Sequence, residues 1–303
     1  MAAVLEPPEL DQPTPPPVGG LESDAEKADS RRGFLVGLPS LAYLVVLFAL
    51  PLVIVVVYSF ATRSRTGLTV LGGWNVDSYV RLFDPLVLEI TWRSLWMAAL
   101  STVLCLVVSY PFAYYLATRS PKVRGILLVL VMIPFWSNFL VRTYAWRVLL
   151  GSDGPLLNLL GSLNLPQPRL LFTPFAIVLG LVYGYLPFMV LPLYAAIERL
   201  DFALVEAARD LYASGWQAFR RVTWPLSLPG VIAGSVLVFI PSFGQYVTPE
   251  LLGGSRTTML GSYVVRQFLS SRDWPFGSAL SVAILLVMLV AAVGYFRKGG
   301  RTL

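Results

Sequence analysis

Six stretches of this chain contain no Asp, Glu, Lys or Arg, and they constrain its fold more than any other feature. They cover residues 33–62, 94–118, 125–141, 170–197, 222–249 and 274–296. A helix rises about 1.5 Å per residue, so runs of this length approach or exceed a hydrocarbon core of about 30 Å. The expectation is an all-α membrane protein with about six transmembrane helices. The third run is the shortest, and its helix is expected to continue past Arg142. Charged residues make up only 13% of the chain and hydrophobic ones 56%. A soluble domain carries about 25% charge, so this chain lacks the polar coat that a watery surface needs.

Other residue types narrow the chemistry. Histidine is absent, which excludes histidine triads, histidine metal sites and imidazole proton shuttles. The single cysteine, Cys105, lies in an apolar run and reads as a small packing residue, with no disulfide framework and no metal site. The net charge of +6 is carried mainly by arginine. In a membrane chain it reports topology and headgroup contact and gives no reason to expect nucleic acid.

An even number of spans places both termini on one side. Thirteen of the Lys and Arg residues fall on that side, in short segments beside the spans, and ten fall on the other. The positive-inside rule then puts both termini in the cytoplasm. Residues 1–32 form a separate Pro-rich acidic segment with no apolar run to bury, so it is expected to be a disordered tail. A Pro-x-x-Pro ligand is the alternative. Residues 33–297 form the membrane domain and 298–303 a short second tail.

Prolines recur inside the runs at Pro51, Pro111, Pro134, Pro187, Pro192 and Pro241. Each removes a helix hydrogen bond and favours a kink, and breaks in most spans point to a bundle around a wetted cavity. Gly180 and Gly184 offer a Gly-x-x-x-Gly helix contact.

The most informative segment interrupts this apolar pattern before the fifth run, at about 198–229. It contains Glu206-Ala-Ala-Arg-Asp-Leu211 and continues to Pro225. Ala203, Ala207, Ala208 and Leu211 fall near one helical face, with Glu206, Arg209 and Asp210 as polar neighbours. Small alanines let a helix enter a groove closely, and charges at its rim fix the register. Ser214 is a candidate N-cap for a second short helix running to Val222.

This segment resembles the EAA loop of ABC-importer permeases. Glu206, Ala207, Ala208, Val222 and Pro225 fit the family pattern. Tyr212 stands where the family has glycine, Trp224 where it has leucine, and Gly215 is expected to supply the turn instead. The resemblance runs from about 32 to 297 and is closest to permeases of the spermidine/putrescine importers, of PotB type. It is carried by Leu82-Phe-Asp-Pro-Leu86, Tyr110-Pro-Phe-Ala113, Ile133-Pro-Phe-Trp-Ser-Asn138, Leu186-Pro-Phe-Met-Val190 and Arg272-Asp-Trp-Pro-Phe-Gly277, among other stretches.

The resemblance implies a type I ABC importer permease (MetI-like) fold in the bacterial inner membrane. It implies a coupling loop that docks on an ATPase through Glu206, Ala207, Ala208, Arg209, Asp210, Tyr212, Gly215, Arg220 and Pro225. The implied partners are an ATP-binding ABC subunit dimer (PotA type), a second permease (PotC type), an extracytoplasmic substrate-binding protein (PotD type) and membrane lipid. No phosphate-binding loop occurs, and the only lysines are Lys27, Lys122 and Lys298. The chain is thus expected to bind no cofactor and to be no enzyme, with ATP and Mg used by the partner subunit.

A polyamine cation would meet almost no ionisable group inside the spans, which also argues against a proton-driven carrier. It would pass aromatic faces and carbonyls, with weak cation–π contacts. The candidate wall comprises Phe135, Trp136, Ser137, Asn138, Tyr183, Tyr185, Phe243, Gln245 and Tyr246. Glu250, Asp153 and Asp273 are expected near the outer face, either attracting the cation or simply solvated. Two alternatives stand beside a polyamine permease. One is the same machine carrying a metal complex, an oxyanion or an amino-acid derivative, and the other is a secondary transporter.

Overall fold

The computed structural model describes residues 21–64, 69–254 and 257–299. The helices in chain order are α1 (Leu21–Ser59), α2 (Asp77–Val80), α3 (Pro85–Ala117), α4 (Pro121–Trp136), α5 (Phe139–Leu149), α6 (Pro155–Ser162) and α7 (Pro174–Glu198). They are followed by α8 (Ala203–Asp210), α9 (Gly215–Ala218), α10 (Trp224–Phe243), α11 (Leu260–Leu269) and α12 (Trp274–Gly299). One short antiparallel pair, β1 (Thr62–Arg63) and β2 (Thr69–Val70), sets Thr62 opposite Val70.

The chain divides into two units, Met1–Ile54 and Val55–Leu303. The first holds most of α1. This helix begins at Leu21, inside the segment expected to be a disordered tail. No proline follows Pro17 before Pro39, so nothing in between removes a backbone amide ahead of the span. Residues 1–20 of that tail and residues 300–303 lie outside the described residues. The most apolar window of α1, which lies within Leu38–Ser59, has no buried residue, whereas Ser59 at the end of the helix is buried.

In the second unit α3, α7 and α10 form the centre. Cys105, Tyr110 and Ala113 of α3 meet Met189, Leu193 and Ile197 of α7 and Val231 and Val238 of α10. Cys105 packs as expected, its sulfur 3.7 Å from the Val182 carbonyl. Close approach of α10 to α7 depends on two glycines. A Cβ on Gly230 would lie 2.5 Å from the Ala196 methyl, and one on Gly234 would lie 2.7 Å from the Met189 sulfur. The expected Gly180/Gly184 contact is only half present. A Cβ on Gly180 would meet Leu252 at 2.7 Å, whereas Gly184 faces open space.

Among the described residues, five helices are long and apolar enough to span a membrane, six if α4 and α5 count as one broken span. The chain does continue helically past Arg142, but not as one straight helix, because α4 and α5 meet at 87°. Two hydrogen bonds explain the break. The Asn138 side chain accepts from the Leu140 amide at 2.8 Å and caps α5, and the Ser137 hydroxyl donates to the Pro134 carbonyl at 2.6 Å. The Pro134 carbonyl also accepts from the Arg142 guanidinium at 2.9 Å. The helices run on through Pro111, Pro187 and Pro192, so breaks in most spans are not found among the described residues.

Candidate functional site

The polar segment between α7 and α10 folds as two short helices, each with a closed end. α8 carries Glu206 in its first turn and Arg209 in its last. Val205 is its buried residue. Leu204, Ala207 and Leu211, at i, i+3 and i+7, share the outward face and are exposed. Sequence reasoning found the alanines and Leu211 but missed Val205, the anchor of the inner face. Among the described residues, Glu206, Arg209 and Asp210 form no ion pair within the chain. The rim charges beside this apolar face are therefore available to a partner.

α8 ends in a Schellman motif. The Tyr212 amide donates to the Arg209 carbonyl at 2.9 Å, and the Ala213 amide donates to the Ala208 carbonyl at 3.1 Å. This closure needs a left-handed residue after the cap, and Tyr212 supplies it with φ of +62°. The turn lies at the position where the family has glycine, which corrects the expectation that Gly215 makes it. Gly215 begins α9 instead, behind Ser214. The Ser214 hydroxyl accepts from the Gln217 amide while the Gln217 side chain accepts from the Ser214 amide, a capping box. Tyr212 is 98% exposed, and Leu211 and Trp216 are exposed beside it.

From Phe219 to Thr223 the chain makes a π-helical turn leading into α10, with Arg220 and Arg221 exposed and Pro225 early in α10. Behind the loop lies a groove of about 580 Å³, bounded by Tyr110, Tyr114 and Tyr115 of α3 and by Val205, Trp216 and Phe219 of the loop. At the neighbouring helix ends, Arg124 of α4 pairs with Glu198 of α7 at 2.6 Å and lies 5.8 Å from the Tyr194 ring centre.

The proposed pathway residues do not form one surface. Tyr185 and Gln245 do meet: the Gln245 amide donates to the Tyr185 hydroxyl at 3.0 Å, and that hydroxyl reaches the Pro241 carbonyl at 3.5 Å. Phe135 packs edge-on against Phe188 at 5.2 Å, and Tyr183 against Trp146 at 5.4 Å. Trp136 is exposed, Tyr246 partly so, and Asn138 is occupied as a helix cap. Phe243 is no wall residue. It is buried with Val87, Ile90, Leu260 and Phe276. A helix that is apolar on every face gives no sequence signal for which aromatic points inward. An apolar groove of about 790 Å³ between α3 and α7, lined by Trp96, Met97, Leu104, Phe175 and Val182, contains none of these candidates.

The three carboxylates expected near the outer face have different surroundings in the structure. Asp153 is exposed. Glu250 pairs with Arg266 at 3.2 Å. Asp273 is 2% exposed and cannot be a solvated loop acid. It accepts from Arg81 at 2.9 Å, lies 3.7 Å from Arg63 and accepts from the Phe276 amide at 3.3 Å. The Arg81 guanidinium lies 4.0 Å from the Phe276 ring centre. Asp273-Trp-Pro is thus a helix start, with a capping acid followed by a proline that needs no amide partner. The two arginines come from far back in the chain, which no local pattern shows.

With this geometry in place, likeness to known proteins is decisive. The family model described as "Binding-protein-dependent transport system inner membrane component" matches residues 109–297, and the chain belongs to that family. It is similar to the spermidine/putrescine transport system permease protein PotB of Haemophilus influenzae, 42% identical over 259 residues, covering 84% of this chain and 90% of that protein. Its likeness to the PotB protein of Escherichia coli is 44% over 258 residues, covering 84% and 93%. A chain in the crystal structure of a bacterial ABC transporter that imports the acidic polysaccharide alginate shares the fold. The TM-score is 0.70, with 18% identity over 93% of this chain and 99% of that one. The protein is accordingly a multi-pass inner-membrane permease component.

Proposed function

We propose that this chain is a translocating permease of an ATP-driven polyamine importer, carrying spermidine or putrescine. The observation that carries this reading is the 42–44% identity to PotB proteins over most of both chains. The loop chemistry agrees with it. An apolar outward face with unpaired charges at its rim suits docking in a groove of a cytoplasmic ATPase, and the chain has no phosphate-binding loop of its own. In this reading Glu206, Ala207, Ala208, Arg209 and Asp210 belong to the helix that docks on the ATPase, with Ala207 on its outward face and the charges at the rim, joined by Tyr212 and Arg220. Pro225 shapes the return into α10.

Transport then follows from two-state switching of the bundle. ATP binding closes an ATPase dimer of PotA type, the loops of this chain and of a PotC-type companion move with it, and the pathway turns outward. A PotD-type binding protein releases the cation there. The hydroxyl oxygen of Tyr185 and the carboxamide oxygen of Gln245 are neutral acceptors for its ammonium groups, without a fixed counter-charge that would hold the cation in place. The chain itself performs no chemistry, and ATP and Mg belong to the partner.

The assembled complex should hydrolyse ATP faster when its binding protein is loaded with spermidine or putrescine than when it is empty. If an oxyanion or an amino acid stimulated hydrolysis and polyamines did not, the cargo assignment would be wrong while the permease role remained.

A further inference from the structure

Pro225 has no amide, and in a regular α-helix its ring would press on the carbonyl four residues back. The chain answers by widening. Residues Phe219–Thr223 form a π turn, and the Trp224 amide donates to the Phe219 carbonyl. Such turns are rare, occur as single bulges within α-helices and concentrate at functional sites. A π turn can slip back toward α by one residue, so on its own it is a soft joint between the loop and α10.

Trp216 of α9 stacks on Phe219 with ring centres 5.3 Å apart, and one side chain from the central bundle also sits against this joint. The Tyr110 ring of α3 lies edge-on to Phe219 with centres 5.4 Å apart, and 5.4 Å from Trp224. These two residues open and follow the turn. The Tyr110 hydroxyl is 2.7 Å from the Ser227 hydroxyl. Ser227 has one proton and gives it to the Trp224 carbonyl at 3.1 Å, so Tyr110 is the donor in the pair. A continuous chain therefore runs from the Tyr110 hydroxyl through Ser227 to the backbone of Trp224. Tyr110 is almost fully buried and Ser227 wholly so.

We propose that Tyr110 is a positioning residue that fixes the π turn to α3, so that displacement of the loop moves α3. Without it, slippage of the turn absorbs the displacement. This rests on the reading that the loop docks on an ATPase. α3 also packs along α7, so movement delivered at Tyr110 reaches the centre of the bundle.

The test is uptake per ATP hydrolysed in proteoliposomes holding this chain, its companion permease, the ATPase and the binding protein. Tyr110→Phe keeps the ring and removes only the hydroxyl, and should lower the ratio about fivefold, the usual worth of one buried hydrogen bond. Ser227→Ala should lower it equally, and the double variant no further, since both remove the same bond. Glu206→Lys, run alongside, reports on docking. If Glu206→Lys uncouples while Tyr110→Phe and Ser227→Ala keep the wild-type ratio, the tether is overturned and docking stands. If Glu206→Lys also keeps the wild-type ratio, docking fails and takes the tether with it. Should Tyr110→Phe reduce only the yield of assembled complex, leaving the ratio intact, Tyr110 is a packing residue and the proposal is wrong. If that variant does not assemble, Ser227→Ala decides the question.

Discussion

At the scale of single residues, a tyrosine occupies a left-handed turn. The left-handed conformation costs an L-residue about 1–2 kcal/mol, and glycine escapes that penalty. Because the Tyr212 ring is almost wholly exposed, its removal loses no internal packing. Tyr212→Gly should therefore stabilise the Schellman closure by about 1 kcal/mol after the entropy cost of glycine is met. Slower amide hydrogen exchange at Tyr212 and Ala213 positions would register the gain, and faster exchange would mean that the ring holds the turn by a contact with a partner. Asp273 is the second residue on which much depends. Asp273→Ala removes a helix cap and a charge-assisted bond, and should cost about 2 kcal/mol, read as a lower thermal midpoint of the purified complex. An unchanged midpoint would show that Arg81 and Arg63 solvate freely without it. The Glu206-Ala-Ala sequence was legible because its polarity breaks an apolar background. The φ of Tyr212 was not, since residue type argues for the opposite, and the role of Asp273 needed partners roughly two hundred residues away.

At the scale of elements, helix existence followed from charge-free runs, but helix continuity did not. The third run has no charge before Arg142, so hydropathy reads one helix through Ser137 and Asn138. Hydrogen bonding decides otherwise, as the Asn138 cap opens a new helix at a right angle to the first. A polar side chain in an apolar run suggests a pathway, whereas Asn138 is used as an N-cap. Tight contacts were equally hidden. Gly180 and Gly184 match a motif, yet α7 and α10 approach each other through Gly230 and Gly234. Gly230→Val would force its side chain against Ala196 and the Pro192 carbonyl, and overpacking of this kind costs about 1–3 kcal/mol. We expect a clear loss of folded permease in membranes, measured by fluorescence size-exclusion chromatography of a tagged chain. Gly184→Ala, facing open space, should be neutral, and a comparable loss there would contradict the packing described.

At the scale of the whole molecule, composition alone placed the chain in a membrane, and family likeness then supplied the machine. The six expected runs correspond to five spans and one broken span, which preserves the span count if α4 and α5 act together. What remained illegible is the path of the cargo. Continuous hydrophobicity does not distinguish a partly buried aromatic such as Tyr185 from a fully packed one such as Phe243. The bundle is expected to act only with its partners, so its decisive behaviour is collective. Glu206→Lys reverses a charge on the face proposed to dock and should abolish uptake while leaving the chain inserted and the ATPase able to turn over. Normal uptake by that variant would remove the loop from the energy pathway.

The most direct test of the central claim is ATP-dependent uptake of labelled spermidine into proteoliposomes containing this permease, its companion, the ATPase and the binding protein. Accumulation that requires both ATP and the binding protein, and that unlabelled putrescine competes but anions do not, is the predicted result. No spermidine accumulation, in an assembly whose ATPase still responds to a binding protein loaded with another solute, would contradict it.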